Sequence, residues 1–315
     1  MCPSLPHFLR RHIHETQRWR DKEKKPSGDP RISDLGRAFQ DDFATIRDNY
    51  GISMLSIYLN VTCLHLVATP KNPIVLAHGL MGFDELRPAG TLLPGVQYWR
   101  GITEAMKANG IEAITASVPA TGSIEERAVK LGKDIAAKAY GKSVNIIAHS
   151  MGGLDARYMI SRLQPDNVEV LSLTTVATPH RGSAFADFIF DEIGEANLPY
   201  FYKIFKVLGL GSSGAFSQLT RKYMQEEFNP KTPDNPRVRY FSYGATVKPT
   251  PWSSFRQPHR VIERIEGPND GLVSVASSRW GTYKGTLVDV SHLDLINWTN
   301  RLRWLMRQMT GHRRQ

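Results

Sequence analysis

The chain has 315 residues, of which 41% are hydrophobic and 22% charged, as is typical of a globular protein with a large core. Its two cysteines, Cys2 and Cys63, provide neither a metal-binding spacing nor a disulfide framework, which excludes a disulfide-rich scaffold. The formal net charge of +10 is compatible with binding to an anionic partner, and equally with a basic tail that is only solvated. Because the sequence contains no nucleic-acid module and no basic stripe interleaved with aromatic residues, we expect no nucleic-acid partner.

Residues 1–70 differ from the rest of the chain and are predicted to form an N-terminal extension. Residues 1–31 carry eight Arg or Lys against four Asp or Glu, and we expect a mobile arm with a short helix near residues 33–48. Mitochondrial presequences contain few acidic residues, so the acidic residues here do not match one. The first twelve residues also lack the apolar core of a secretory signal peptide. We therefore expect an intracellular protein that is not secreted, with a mitochondrial or lipid-associated location open.

Residues 52–69 form an apolar run of borderline length for a membrane span, and Asn60 lies inside it. A polar side chain at the centre of a span is costly. A docked or interfacial element is therefore favoured over a true transmembrane helix, and both remain open.

From residue 71 onward, apolar runs of strand length alternate with segments of helical spacing. Strands are predicted at 73–78, 111–118, 144–148, 168–177, 238–243 and 286–290, and helices at 124–140, 152–163 and 292–309. This alternation predicts an α/β fold over residues 71–311, with a mostly parallel sheet and helices on both faces.

The segment around Ser150 is the most informative part of this domain. The strand 144–148 ends in Ala148-His149-Ser150-Met151-Gly152, and a helix-compatible segment follows at once. A serine on a sharp strand-to-helix turn between small residues is the nucleophile elbow of α/β-hydrolases. Ala148 departs from the commoner glycine by one methyl group. We predict that Ser150 is a nucleophile.

A serine hydroxyl needs a base, a group that orients the base, and donors for the oxyanion. Asp270 lies in an Asn-Asp-Gly turn and His292 follows it by 22 residues, which gives the chain order of an α/β-hydrolase triad. The loop 78–80 follows a strand upstream of the elbow. By position, the backbone N–H groups of Leu80 and Met151 are therefore the predicted oxyanion donors.

In combination these motifs resemble the bacterial true lipases of the Pseudomonas and Burkholderia type, and still more the yeast mitochondrial triacylglycerol lipase group. The resemblance covers residues 71–311 and is carried by segments 75–83, 148–153, 178–183, 269–273 and 292–294. It implies a triacylglycerol lipase that works through an acyl-enzyme on Ser150 without a cofactor. It also implies an acylglycerol or other lipid ester as substrate, and peripheral contact with a membrane or lipid-droplet surface.

Other activities on the same fold remain open, because a fold does not determine its substrate. They are a phospholipase, an inositol-deacylase-like enzyme and an acyltransferase. A non-catalytic lipid-binding scaffold is a further alternative, although every triad position is filled.

The resemblance also implies a lid and, in the bacterial relatives, a structural Ca²⁺. Residues 184–214 are rich in apolar and aromatic residues and are predicted to contain a helical lid rather than an ordinary core helix. Asp294 matches one calcium-ligating aspartate, but Trp298 and Lys248 occupy the places of two other ligands. Ca²⁺ prefers six to eight oxygen ligands, so we predict no metal and a local hydrogen-bonding role for Asp294.

Overall fold

The computed structural model describes residues 36–40, 70–80, 85–86, 96–99, 101–191, 214–250, 253 and 255–296. The predicted apolar segment 52–69, residues 192–213 of the predicted lid and residues 297–309 of the predicted last helix lie outside these ranges. Within them, no helix combines the length and apolar character that crossing a membrane requires.

The centre of the fold is a seven-stranded sheet accompanied by a small hairpin. The strands are β1 Ala38–Gln40, β2 Ile74–Ala77, β3 Glu85–Leu86, β4 Val96–Gln97, β5 Ala113–Ala116, β6 Val144–His149, β7 Val170–Val176, β8 Arg239–Thr246 and β9 Thr282–Val288. The order in the sheet is β1-β9-β8-β7-β6-β2-β5, and every neighbouring pair is parallel. The antiparallel pair β3 and β4 stands apart from it. The parallel sheet confirms the predicted α/β class.

Helices connect the strands. They are α1 Ile102–Ala108, α2 Ile124–Ala139, α3 Gly152–Tyr158 with a π-helical turn Met159–Leu163, α4 184–191, α5 Gly214–Ser217, α6 Arg221–Tyr223 continuing through Met224–Phe228 and Asn229–Lys231, α7 Arg256–Glu266 and α8 Val275–Ser278. A 3₁₀ turn follows at Asp294–Ile296. The helices predicted at 124–140 and 152–163 are confirmed, whereas α1 and α7 were not predicted.

Helix α2 shows how local sequence and packing combine. It begins with a capping box, in which Ser123 Oγ accepts from the backbone N–H of Glu126 and the Glu126 carboxylate accepts from the N–H of Ser123. Its apolar face, including Leu131 and Ile135, is buried in the main core, and the helix packs against α3 and strand β5. Because α2 follows β5 along the chain, its first turn lies towards the carboxyl ends of the strands, where the predicted site lies.

A short helix was predicted near residues 33–48, and this prediction is wrong at residues 38–40. These residues form β1, which runs parallel to β9 with Ala38 opposite Thr286. The backbone N–H of Thr286 also donates to the carbonyl of Arg37 at 2.8 Å. An unpaired strand edge carries free donors and acceptors, and an extended segment satisfies them better than a helix does. The N-terminal extension therefore contributes a strand to the sheet.

Candidate active site

Ser150 lies in a tight turn between β6 and α3, as the elbow motif predicted. Its φ is 56°, in the left-handed region that residues other than glycine rarely adopt. The N–H of Ser150 donates to the carbonyl of Val176 at 3.0 Å, and its own carbonyl accepts from Thr178 Oγ1 at 2.7 Å. These bonds hold a strained conformation that costs on the order of 1–2 kcal/mol.

Small residues beside Ser150 are required by close backbone contacts. A Cβ atom on Gly152 would lie 2.7 Å from the carbonyl oxygens of both Ala77 and His78. A Cβ atom on Gly79 would lie 2.7 Å from the Cβ of Ser150 and 3.2 Å from its Oγ. Ala148, by contrast, is buried with its methyl group in the main core. The loop 78–80 and the elbow are therefore packed directly on each other.

Asp270 and His292 are brought together in the predicted order. His292 Nδ1 lies 2.7 Å from Asp270 Oδ2, and both side chains are buried. The other carboxylate oxygen of Asp270 accepts from the backbone N–H groups of Leu272 and Val273 at 3.0 and 2.8 Å. The N–H of His292 donates to the carbonyl of Asp270 at 2.9 Å. The carboxylate is thus fixed where it orients the imidazole ring.

Ser150 and His292 both line one cavity of about 480 Å³. The other lining residues are mostly apolar or aromatic: Leu80, Tyr98, His149, Pro179, Ser183, Phe185, Ala186, Phe216, Leu219, Phe255, Leu272, Val273, Leu293 and Ile296. No hydrogen bond joins Ser150 to His292 among the described contacts. Such bonds are commonly long in unliganded enzymes and shorten when substrate binds.

The loop that carries Leu80 is fixed from behind by Arg127. The Nη2 atom of Arg127 donates to the carbonyls of His78 and Gly79 at 2.8 and 3.2 Å. In a trans peptide the C=O of Gly79 and the N–H of Leu80 point in opposite directions. Holding that carbonyl therefore directs the N–H of Leu80 away from the guanidinium, which suits the predicted role as an oxyanion donor.

Met151, the second predicted donor, is the N-cap residue of α3 and its side chain is fully buried. Within the described part of the chain, neither Met151 nor Leu80 donates its backbone N–H to another residue. Neither N–H group therefore has a partner among the described residues, which is compatible with the predicted role as oxyanion donors. The positive end of α3 adds to the attraction for an anion at this position.

Arg127 is paired with Asp155, and sequence analysis missed both. Arg127 Nη2 lies 2.8 Å from Asp155 Oδ2 in an ion pair from which water is excluded. Burial raises the pKa of Asp155 to about 6, although Arg127 opposes the shift. Because Asp155 belongs to α3, this pair ties the loop 78–80 to the elbow helix. The sequence contained one signal for Arg127, namely an arginine at a position within the apolar face of α2.

Two further side chains border the site. The rings of His149 and His292 are 4.6 Å apart. Burial, together with the neighbouring His292, holds the pKa of His149 well below its ordinary value. Tyr98 reaches His149 with its hydroxyl, which lies 2.7 Å from Nδ1. Tyr98 follows a region without regular periodicity, and no sequence signal indicated it.

The motif at residues 178–183 contains a buried histidine, His180, whose contacts are structural. His180 is fully buried, with Nε2 3.0 Å from Thr175 Oγ1 and its ring stacked on Trp280. Arg157 lies over the same Trp280 ring at 3.5 Å. Burial and the two neighbouring arginines, Arg157 and Arg181, hold the pKa of His180 well below its ordinary value. This motif therefore joins α3 to the chain after β7.

Helix α4 agrees with the helical start that was predicted for the lid at residues 184–214. Its first N–H, from Ala184, donates to Glu266 Oε1 at 2.8 Å. One turn later Asp187 forms an ion pair with Arg221. Phe185 from this helix and Phe216 from α5 both line the cavity. Movement of this segment as a lid stays a prediction.

Asp294 has the local role predicted for it. Its carboxylate accepts from the backbone N–H and the hydroxyl of Ser291, at 3.1 and 2.6 Å. Lys248 is exposed, and Trp298 lies outside the described residues. In the described ranges no three His, Cys, Asp or Glu side chains cluster as a metal site would require. The expectation that no metal is bound stays a prediction.

Comparisons with known proteins agree with this geometry. The family model described as putative serine esterase (DUF676) matches residues 114–248. The chain is 41% identical to triacylglycerol lipase 2 of Saccharomyces cerevisiae in an alignment that covers 74% of this chain and 82% of the yeast protein. It is 29% identical to a triacylglycerol lipase of Vibrio cholerae, covering 72% of this chain and 80% of that protein.

Solved structures resemble the fold. The mature form of Bacillus licheniformis lipase BlEst2 superposes with a TM-score of 0.58 at 21% identity, covering 75% of this chain and 91% of that one. Staphylococcus hyicus lipase gives a TM-score of 0.54 at 22% identity, covering 78% and 99%. Both are lipases with the α/β-hydrolase fold, so the predicted fold is confirmed.

Proposed function

The chain belongs to the triacylglycerol lipase family, and from this premise we propose that it hydrolyses the ester bonds of neutral acylglycerols through an acyl-enzyme on Ser150. The observation that carries the proposal is an apolar cavity with both Ser150 and His292 on its wall. Cavities of this size bind ligands of the size of one acyl chain, and an apolar lining stabilises the chain by removing it from water.

The proposed reaction follows from the placement of the polar groups. Ser150 Oγ attacks the ester carbonyl while His292 Nε2 takes the hydroxyl proton, and Asp270 holds the resulting imidazolium through Nδ1–H. The N–H groups of Leu80 and Met151 bind the tetrahedral oxyanion. His292 then protonates the leaving alcohol, and water releases the fatty acid by the same steps in reverse order. This chemistry needs no cofactor.

The lining of the cavity supports a neutral substrate over a phospholipid. None of its described lining residues is Lys, Arg, Asp or Glu. A phosphate headgroup is recognised by cationic side chains, most often by arginine. A triacylglycerol places only neutral ester groups beside Ser150 and therefore leaves no charge without a partner.

Contact with a lipid surface is part of the proposal. Phe185 and Phe216 line the cavity from the two helices that flank residues 192–213. If α4 and α5 move apart, aromatic surface is exposed, and such a surface favours binding to a membrane or lipid droplet. The intracellular location, mitochondrial or lipid-associated, stays a prediction.

A direct test compares emulsified triolein with phosphatidylcholine vesicles as substrates, using Ser150→Ala as the blank. We expect fatty-acid release from triolein that is lost in the blank. Faster release from the phospholipid would favour the phospholipase alternative. Transfer of the acyl group to an added alcohol in preference to water would favour the acyltransferase.

A fluorophosphonate probe separates an enzyme from a binding scaffold. We expect the probe to label wild-type protein at Ser150 and not to label Ser150→Ala. Unlabelled, correctly folded wild-type protein would contradict the proposed nucleophile and leave the scaffold alternative.

A further inference from the structure

A hydrogen-bonded bridge joins the loop 78–80 to the elbow through Tyr98. The N–H of Gly79 donates to the hydroxyl of Tyr98 at 3.1 Å, and the same hydroxyl lies 2.7 Å from His149 Nδ1. Tyr98 comes directly after β4, is buried and lines the cavity. We infer that Tyr98 is a positioning residue, which fixes the loop that presents the N–H of Leu80. The role presupposes the ester hydrolysis proposed above.

The direction of the first bond follows from the chemistry of the groups. The N–H of Gly79 can only donate, so the Tyr98 oxygen accepts there, and we assign the hydroxyl proton to the bond with His149 Nδ1. His149 is then the neutral tautomer that carries its proton on Nε2. The pKa shifts agree, because burial raises the pKa of Tyr98 to about 12 and lowers that of His149 well below its ordinary value.

Gly79 is thereby held on both sides of its Cα atom. Tyr98 holds the N–H of Gly79, and Arg127 holds its carbonyl. The next N–H along the chain is that of Leu80, so its direction is set once both groups of Gly79 are fixed. A donor that is fixed before reaction needs no reorganisation as the oxyanion forms, which is the condition for efficient stabilisation. Binding of the ground-state ester does not depend on this donor.

The first test is Tyr98→Phe, which keeps the ring and removes only the hydroxyl. We expect kcat on p-nitrophenyl butyrate to fall about 10- to 100-fold. KM should change by less than about twofold, because the lost interaction acts in the transition state. A trifluoromethyl ketone forms a hemiketal whose oxygen occupies the oxyanion site. Its inhibition constant should rise by the same factor as kcat/KM falls.

Tyr283→Phe is the matched control. Its hydroxyl lies 2.6 Å from Thr286 Oγ1, in β9 and outside the cavity lining, so its loss should leave kcat unchanged. An unchanged kcat in Tyr98→Phe would overturn the inference, as would a rise in KM without a change in inhibition by the ketone. If wild-type protein itself neither hydrolyses esters nor reacts with a fluorophosphonate, the proposed function has failed instead.

A second variant covers the case in which Tyr98→Phe does not fold. A difluorotyrosine at position 98 keeps the shape of the side chain, but its hydroxyl ionises at lower pH. Once ionised, it still accepts from the N–H of Gly79 but no longer donates to His149, so the loop 78–80 loses its link to the elbow. We expect kcat/KM of this variant to fall on the alkaline side, at a pH where the wild-type value is constant. Superimposable pH profiles would overturn the inference.

Discussion

The substitution Gly79→Ala tests the packing of the loop 78–80 on the elbow. Gly79 is not in the left-handed region, so alanine is tolerated by the backbone and the effect is one of contact alone. The added Cβ would lie 2.7 Å from the Cβ of Ser150, whereas ordinary contact begins at about 3.4 Å. Either the loop or Ser150 must therefore move by about 0.7 Å.

A displacement of this size is enough to impair catalysis. A misplacement of about 1 Å costs on the order of 100-fold in rate, so we expect kcat/KM on p-nitrophenyl butyrate to fall roughly 10- to 100-fold. Overpacking of a buried position costs about 1–3 kcal/mol, and we expect a corresponding decrease in the free energy of unfolding in urea.

Gly132→Ala is the control for Gly79→Ala. Gly132 lies in α2, where a Cβ atom would meet Pro165 at 3.4 Å and Met159 at 3.6 Å, which are ordinary contacts. Alanine favours the helix over glycine by about 0.5–1 kcal/mol. We expect unchanged activity and equal or greater stability. Wild-type activity and stability in Gly79→Ala would refute the reasoning, because the loop would then not be packed on Ser150.

Three further outcomes are expected. Asp270→Asn should lower kcat by about 10⁴-fold without loss of folding, since the His292 ring loses the carboxylate that orients it; near-normal turnover would exclude Asp270 from the triad. Ser150→Gly should raise the free energy of unfolding in urea by about 1 kcal/mol relative to Ser150→Ala, because glycine adopts a φ of 56° without strain; equal stabilities would contradict a strained elbow. The free energy of unfolding should fall as pH decreases from about 6.5 towards 4. Burial lowers the pKa of His78 to about 4 and holds those of His149 and His180 well below their ordinary values, so the unfolded chain takes up these three protons at higher pH than the folded chain does. Their contribution is complete above pH 6.5 and amounts to roughly 3 kcal/mol per pH unit as they titrate, and proton uptake by the folded chain at Asp155, whose pKa burial raises to about 6, offsets about 1.4 kcal/mol per pH unit of it; a free energy of unfolding that does not fall over this range would contradict it.

The three proposed catalytic residues could be predicted because each signal is local. Ser150 and His292 follow apolar strands, whose ends parallel pairing brings to one edge of the sheet, and Asp270 lies in an Asn-Asp-Gly turn between them along the chain. The hydrogen bond between Asp270 and His292 was therefore predictable from chain order and topology. Gly152 was predictable for the same reason, since an elbow requires a small residue at that position.

The residues that support the site could not be found in this way. Tyr98 bonds to Gly79, 19 residues away, and to His149, 51 residues away. Arg127 reaches back 48 and 49 residues to the loop that it holds. Their partners are defined only by tertiary packing, and neither residue belongs to a recurring local pattern. Strand β1 was missed for a related reason, because three residues form a strand only when a partner is present.

Strand β1 also bears on how shortened forms of the protein would behave. A chain that starts at residue 71 keeps Ser150, Asp270 and His292 but removes the segment that pairs with Thr286–Val288 of β9. The outer N–H and C=O groups of β9 would then face solvent along an open edge, which is a template for pairing with a second chain. We expect such a truncated protein to self-associate at high concentration, so expression of the isolated catalytic region should begin before residue 36.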